Sequence, residues 1–475
     1  MRDIIKNVPY KWIALIIASF GSFNVALDVY IINISRPMFR DAFELSYEAV
    51  LWVYLVYPLL GSSLFLTWGR LGDIKGRERV FILGFLFYTI GLALCPIVDN
   101  FVALIVFRII QVIGLTMIHS LAPAIAIGNF PDRERGKSLG MYLALFASGA
   151  VIGSFLGGFL IDHFSWQAIF YLRLPLAVTG LIMAFTMLRR APPADAGGGF
   201  DFRGAVILLV CLSCFILAIN QGREQGWTSP IILGTGIASL ILAPVLLIVE
   251  KRAVQPVLDL MLFRNRMFTL AILGMGLALT GVVVLDVLTP FYVIEGAGYS
   301  KTEMGIVMMS YVGIMTAMHP LAGWFGSRVG VPIICTLGLV LGGITLFWVS
   351  GLGADASLSG IITRVMVYGF AVGLFFTPFS SAIMGSVPED KLGTASAMLA
   401  TARQVATVIG SAIFMTLFHS RKLVHVAQLT SEGVGEEAAE SLGVVGGFHD
   451  TVLLAVGITI LGLMVTLLMH KRSSR

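Results

Sequence analysis

The sequence predicts an all-α integral membrane protein: two parallel six-helix bundles plus two inserted helices, fourteen transmembrane helices in all. Three observations predict it. The 475-residue chain is 57% hydrophobic and only 12% charged, with a mean hydropathy of +0.91, which is the usage of membrane chains rather than soluble domains. Apolar runs of spanning length, about 20 residues, recur along its whole length. Landmarks of the first half return in the second at a nearly constant offset.

The runs lie at 11–34, 49–68, 79–97, 101–123, 137–161, 167–188, 204–221, 230–250, 267–293, 303–322, 331–351, 358–381, 394–418 and 450–470. The first is long enough to span and lacks a small-residue cleavage site, so it is expected to be a transmembrane helix and not a signal peptide. Cys95, Cys211, Cys214 and Cys335 all fall inside apolar runs. The Cys211–Cys214 pair therefore reads as small packing residues rather than a redox site. No metal-ligand spacing and no nucleophile–base constellation stands out, so neither a cofactor nor an enzyme is expected.

Orientation follows from the basic residues. With both ends on one side, the loops and tails of that side carry 22 of the 32 Lys and Arg, the opposite loops carry 6, and Arg108, Arg173, Arg364 and Arg403 lie within spans. The positive-inside rule makes the richer side, and both termini, cytoplasmic. The formal charge of +5 then reads as a topology signal with contact to membrane lipids, and no nucleic-acid partner is expected.

The repeats decide the architecture. ALDV at 26–29 returns as VLDV at 284–287, RIIQVIG at 108–114 as RVMVYG at 364–369, and FPDRERGKSLGM at 130–141 as VPEDKLGTASAM at 387–398. GRLGDIKG at 69–76 has a worn copy, GWFGSRVG at 323–330, with Ser327 in the place of Asp73. The division expected is a first six-helix bundle at 1–190, a linker at 191–203, two inserted helices at 204–250, a linker at 251–266 and a second bundle at 267–475. Parallel halves around a shared site are a transporter architecture.

WGRLGDIKGRERV at 68–80 concentrates charge in an oily chain. It reads either as a charged turn that enforces topology or as a gating element. Its glycines permit positive φ, and Asp73 has the chemistry to accept from helix N-termini or to pair with an arginine. Intramembrane charge is the second signal, because an ionised group at mid-bilayer costs at least about 2.5–3.5 kcal/mol. Asp28 and Arg108 sit at matched depth in spans 1 and 4, and Asp286 and Arg364 occupy the repeat-related spans 9 and 12. These four are candidates for proton coupling, in which protonation cancels the acid's charge and weakens its pairing. A static buried ion pair is the competing reading.

Gly149, Gly153 and Gly157, with Gly158 beside them, place a bare stripe on span 5 for close helix approach. Met308 and Met315, with Met304, Met309 and Met318, give span 10 adaptable thioethers that face either substrate or lipid. His319 on the same span either titrates or is a hydrogen-bonded structural residue. In the outer third of the spans Arg108, Arg173 and Arg364 outnumber Asp28 and Asp286, and this positive balance favours neutral or anionic amphiphiles over a site built only for cations; Arg173 otherwise snorkels, or pairs with Glu224 or Glu295. The acidic outer segment 419–449 is read as an interfacial helix or as a docking point for an envelope adaptor.

These residues also carry a resemblance. The chain resembles the fourteen-helix drug–proton antiporter family of the major facilitator superfamily over nearly its whole length. Gly69, Asp73, Gly76, Arg77 and Arg79 fall at positions of that superfamily's loop 2–3 motif. LDVYIINISRP at 27–37 resembles the family's first-helix signature through Leu27, Asp28, Asn33 and Pro37. FDFRG at 200–204, GREQGWTSP at 222–230 and PVLDLMLFRNRMF at 256–268 resemble the segments bordering the two extra helices. The resemblance implies a major facilitator fold in the cell membrane, a gating latch at loop 2–3, and proton-coupled export of small amphipathic substrates by alternating access. A drive from the proton motive force, with no cofactor, and a monomer are expected. Asn33 and Gln111 join Arg173, Met308, Met315, His319 and Arg403 as substrate-cavity candidates. Ser154 stands where the exchanger motif has proline, and Val112 where a glycine follows Gln111. Lipid or lipid-like envelope material is the alternative cargo on the same scaffold.

Overall fold

A computed structural model describes residues 9–35, 38–39, 42–45, 47–189, 201–253, 256 and 258–470. Fourteen long α-helices run in chain order among them: α1 Tyr10–Ile34, α2 Tyr47–Lys75, α3 Arg77–Leu94, α4 Phe101–Gly128, α5 Asp132–His163, α6 Ala168–Met187, α7 Phe202–Gln225, α8 Pro230–Arg252, α9 Arg266–Phe291, α10 Lys301–Val329, α11 Val331–Ser350, α12 Leu358–Gly385, α13 Leu392–Ser431 and α14 Glu436–His470. Thirteen are long and apolar enough to cross a membrane among the described residues; α2 holds the remaining predicted span. Linker 191–200 and the termini lie outside the described residues.

Helix ends follow local chemistry. Asn100 Oδ1 accepts the Ala103 N–H at 2.9 Å to start α4, and Asp201 Oδ1 accepts the Gly204 N–H at 2.9 Å to start α7. Ser300 and Glu303 form a reciprocal capping box on α10, which satisfies two N–H groups otherwise orphaned at a helix start. The helix-long backbone bonding these ends complete is what allows a chain to cross lipid.

Contacts group the chain into two compact units. One holds residues up to Asn265 together with Ile383–Gln404, and the other holds Arg266–Ala382 and Val405 onward. In the first unit α1 packs along α5, α3 along α4 and α6, and α2 along α4 and α7. In the second, α14 packs along α9 and α11. The inserted pair α7 and α8 pack on each other, and α7 lies on α2.

One sequence expectation is met here and one changes. The charged stretch 69–79 turns tightly at a positive-φ glycine, as its sequence suggests: α2 continues to Lys75, α3 begins at Arg77, and Gly76 alone breaks them with φ 97°. The helix persists because only Gly76 leaves the right-handed region, where a side chain would be strained. The outer segment 419–449 is not an interfacial helix. It is the continuation of α13 and α14, joined by a turn at Gly433 with φ 85°. At 1.5 Å per residue, α13 with its 40 residues is about 60 Å long, twice the hydrocarbon thickness of about 30 Å. The hairpin is zipped by close approach: a Cβ on Gly447 would lie 3.0 Å from Phe418 O and Lys422 N. Lys422 adds ion pairs to Glu440 at 2.7 Å and Glu295 at 3.8 Å.

Candidate functional site

Asp28 lies in the middle of an apolar helix and is fully buried. Burying a lone carboxylate costs several kcal/mol, so it needs compensation. Two neighbouring helices supply it. On α4, Arg108 and Gln111 are three residues apart and so share a face. Arg108 grips the carboxylate with both prongs, Nη1 to Oδ1 at 2.9 Å and Nη2 to Oδ2 at 2.6 Å. Gln111 Nε2 donates to Oδ1 at 2.9 Å, while its Oε1 accepts from Arg108 Nη1 at 2.7 Å. From α6, Arg173 Nη1 also donates to Asp28 Oδ1. Arg173 Nε donates to Ile169 O at 2.8 Å, and its guanidinium lies 5.3 Å from the Phe170 ring.

The sequence alone puts Arg173 in the substrate cavity, at the headgroups, or on Glu224 or Glu295. The structure buries it completely on Asp28, and Glu295 pairs with Lys422 instead. The usable signal was a charge count: Asp28 is the lone acid in the first six runs, and two arginines of neighbouring spans lie near its depth. The side chain of Glu224 lies outside the described residues.

The glycine stripe of α5 explains how α1 reaches this position. A Cβ on Gly149 would lie 2.5 Å from Phe23 O, and one on Gly153 would lie 2.9 Å from Leu27 O. These two glycines let α5 touch the α1 backbone at Phe23 and Leu27, in the turn and a half leading up to Asp28. Gly157 is buried on the same helix and Gly158 follows it in α5; the side chains of Ser154 and Asn33 lie outside the described residues.

The repeat-related acid and base do not form the second pair expected of them. Asp286 on α9 is exposed. Arg364 on α12 donates through Nη1 to Trp348 O at 3.0 Å and lies 5.2 Å over the Trp348 ring. Trp348 on α11 offers a carbonyl and a π face together, and that combination holds the guanidinium away from Asp286.

Around the Gly76 break, Asp73 is fully buried yet densely bonded. Its Oδ1 accepts the Gly393 N–H at 3.0 Å, and its Oδ2 accepts the Thr394 N–H at 2.8 Å and the Thr394 hydroxyl at 2.9 Å. These N–H groups belong to the first turn of α13, where an anion is stabilised by orphan donors and the helix dipole. Arg77 Nε donates to Asp73 Oδ1 at 2.9 Å, and its Nη2 reaches Glu389 O at 2.6 Å and Asp390 O at 3.2 Å. Arg135 pairs with Glu389 at 2.7 Å. Gly69 is required because a Cβ there would sit 2.6 Å from Gly393 O. Arg79 is separate from this clasp: it is exposed and lines an apolar groove of about 590 Å³ with Leu86, Ile182 and Phe185, because α3 turns it one face away from Arg77. In the worn copy, Ser327 donates to Trp324 O of its own helix at 2.8 Å.

The remaining candidates divide. His319 is buried beside Thr377 Oγ1 at 3.3 Å, with its ring 5.5 Å from Phe376. Met308 and Met315 are half-buried on α10, and Met315 O faces Gly373, where a Cβ would lie 2.9 Å away. Arg403 lies 5.1 Å over the Phe146 ring. That ring belongs to a cluster that sequence reasoning missed: His119 meets Phe146 edge-on at 5.4 Å, stacks on Phe65 at 5.1 Å, and bonds Tyr57 Oη through Nδ1 at 3.0 Å. The four residues come from three helices with no shared spacing, so no linear pattern announces them.

Fourteen long, mostly membrane-length helices with repeated landmarks, and a buried acid–base cluster among α1, α4 and α6, define the class: a multi-pass membrane protein built as secondary transporters are. The chain belongs to the Major Facilitator Superfamily, which its sequence matches over residues 18–411. It is 32% identical over 409 residues to the riboflavin transporter RibZ of Clostridioides difficile (strain 630), covering 86% of this chain and 88% of that one. It is 27% identical over 424 residues to the probable multidrug resistance protein EmrY of Escherichia coli (strain K12), covering 88% and 82%. The crystal structure of the human organic anion transporter MFSD10 (TETRAN) superposes with a TM-score of 0.63 at 16% identity, covering 97% of this chain and 100% of that one.

Proposed function

We propose that this transporter exports amphipathic or lipophilic small molecules across the cell membrane by alternating access, driven by the proton motive force without a cofactor. Both termini face the cytoplasm, the protein works as a monomer, and its substrates reach it from water and from membrane lipids. The observation that carries this reading is the fully buried Asp28 held bidentately by Arg108. A proton on Asp28 cancels the charge that holds α1 to α4 and α6 and biases one conformation over the other. The Asp73 clasp on α13 is the element that engages and releases. One charge moving across about 100 mV supplies about 2.3 kcal/mol.

Multidrug relatives such as EmrY support a broad substrate range, and the riboflavin relative points to planar heteroaromatic cargo as a second reading. The ring faces of Phe65, His119 and Phe146 beside Arg403 favour it. Lipid or lipid-like envelope material is the third class of cargo. The hairpin of α13 and α14 is the surface offered to an envelope adaptor. The test is transport in proteoliposomes with an imposed pH gradient, wild type beside Asp28→Asn. The variant is expected to fold and to lose gradient-driven transport; retained coupling overturns the reading.

A further inference from the structure

The cluster around Asp28 holds more cation than its one acid requires. Arg108 and Arg173 are 1% and 0% exposed, and together they carry two charges against one. Their donors are also in surplus: Arg108 Nε and Arg173 Nη2 are buried without an acceptor, although each buried unsatisfied polar group costs about 1–3 kcal/mol. Two guanidiniums converging on one carboxylate, with N–H groups to spare, have the geometry of an oxyanion receptor.

We propose that Arg108 and Arg173 form a receptor for the oxyanion head of an amphipathic organic acid, that ionised Asp28 fills this receptor, and that a proton on Asp28 vacates it. An organic anion and a proton then bind together, whereas a cation and a proton exclude one another. The inference rests on Asp28 being the proton carrier.

The sign follows from charge alone. With Asp28 ionised the cluster carries +1; with Asp28 protonated it carries +2, and an arriving anion restores +1. A cation would raise it to +3. The step moves one proton, breaking an O–H bond of hydronium from the solution and making the O–H of the Asp28 carboxylic acid, and transfers the guanidinium N–H donors from Asp28 to the incoming oxyanion. The other titratable groups turned to Asp28 are Tyr57 of α2, Tyr88 of α3 and Cys95 just after α3, all neutral at working pH. From α5, Gly149 and Gly153 meet α1, and Tyr142 is bonded to Ser22 at 2.7 Å. No second acid among the described residues of these helices offsets the excess. The same carboxylate thus gives two cargo classes opposite coupling: exchange for cations, co-transport for acids.

The test uses two probes that hold their charge at every working pH, naphthalene-2-sulfonate and tetraphenylphosphonium, with the purified full-length protein in lipid nanodiscs. Affinity is measured from pH 6 to 8, and proton exchange is followed with an indicator in weak buffer. Sulfonate binding is expected to take up protons and to tighten as pH falls, by up to about tenfold per unit for one linked proton. Tetraphenylphosphonium binding is expected to release protons. Asp28→Asn should bind sulfonate tightly at every pH without proton uptake. Arg173→Gln should weaken sulfonate at least about tenfold while still binding tetraphenylphosphonium, which also certifies its fold. Absent sulfonate binding, or sulfonate binding that releases protons or is weakened by Asp28→Asn, overturns the receptor. If only the sulfonate arm fails, while tetraphenylphosphonium still releases protons and pH-driven transport still needs Asp28, the exporter reading stands without it. Loss of both sinks both.

Discussion

Gly76 and Gly330 adopt the same backbone, φ 97° and ψ 124° in one, φ 103° and ψ 137° in the other. They stand 254 positions apart, the offset of the worn repeat. Each is the single residue between two long helices. The turn has therefore outlasted the charge, since Asp73 is present beside one glycine and Ser327 beside the other. Alanine at either position faces a backbone region that costs about 1–3 kcal/mol for a residue with a Cβ. Gly76→Ala and Gly330→Ala are expected to lower Tm by similar amounts in a thermal unfolding assay.

Among the described residues the clasp exists only in the first copy, so its loss should be one-sided. Asp73→Asn removes a charge that accepts from two backbone N–H groups, a hydroxyl and a guanidinium. Charge-assisted bonds are worth about 1.5–3 kcal/mol each. Initial transport rates should fall at least about tenfold on that scale, while Ser327→Ala stays within about twofold. Equal effects of the two changes would remove the gate from loop 2–3.

Arg108 and Arg364 are repeat-related in sequence but unequal in the fold. Arg108→Ala leaves fully buried Asp28 short of its bidentate partner, which costs about 3–5 kcal/mol for a broken buried pair. Half-buried Arg364, with one carbonyl bond and one ring contact, should cost about 1 kcal/mol on truncation to alanine. Denaturant unfolding of the two variants measures the difference, and a matching loss would contradict the asymmetry.

Glycine content alone does not mark a packing site, and two substitutions separate the cases. Gly149→Ala pushes a methyl toward Phe23 O at 2.5 Å and is expected to destabilise by about 1–3 kcal/mol as an overpacked contact. At Gly276, inside α9, an added Cβ would meet nothing within 4 Å. Alanine there should be neutral or stabilise by about 0.4–1 kcal/mol through the unfolded chain. Thermal unfolding of both variants in the same detergent decides it.

Much of the fold was readable because lipid imposes length and polarity on every span, and a repeat leaves its offset in plain view. The candidate site was half readable. Asp28 and Arg108 stood out because charge is rare in such runs, and Asp73 because its spacing with Gly69, Gly76 and Arg77 is regular. Arg173, His119 and Tyr57 were not legible as partners, because their meeting depends on how α6, α4 and α2 rotate against neighbours. A helix presents a new face every 100° or so, and nothing local records which face turns inward.

By itself the sequence determined the class of protein, the number and order of spans, the inserted pair, and the two acids, Asp28 and Asp73, that stand out in the first half. Those follow from hydrophobic length, charge rarity and repetition, which are properties of single segments. The tertiary structure decided that Asp28 is held by two arginines, that Asp286 and Arg364 stay apart, that Arg79 leaves the clasp, and that segment 419–449 prolongs two helices. Each of these depends on which side chains converge from different helices, and convergence is a property of packing.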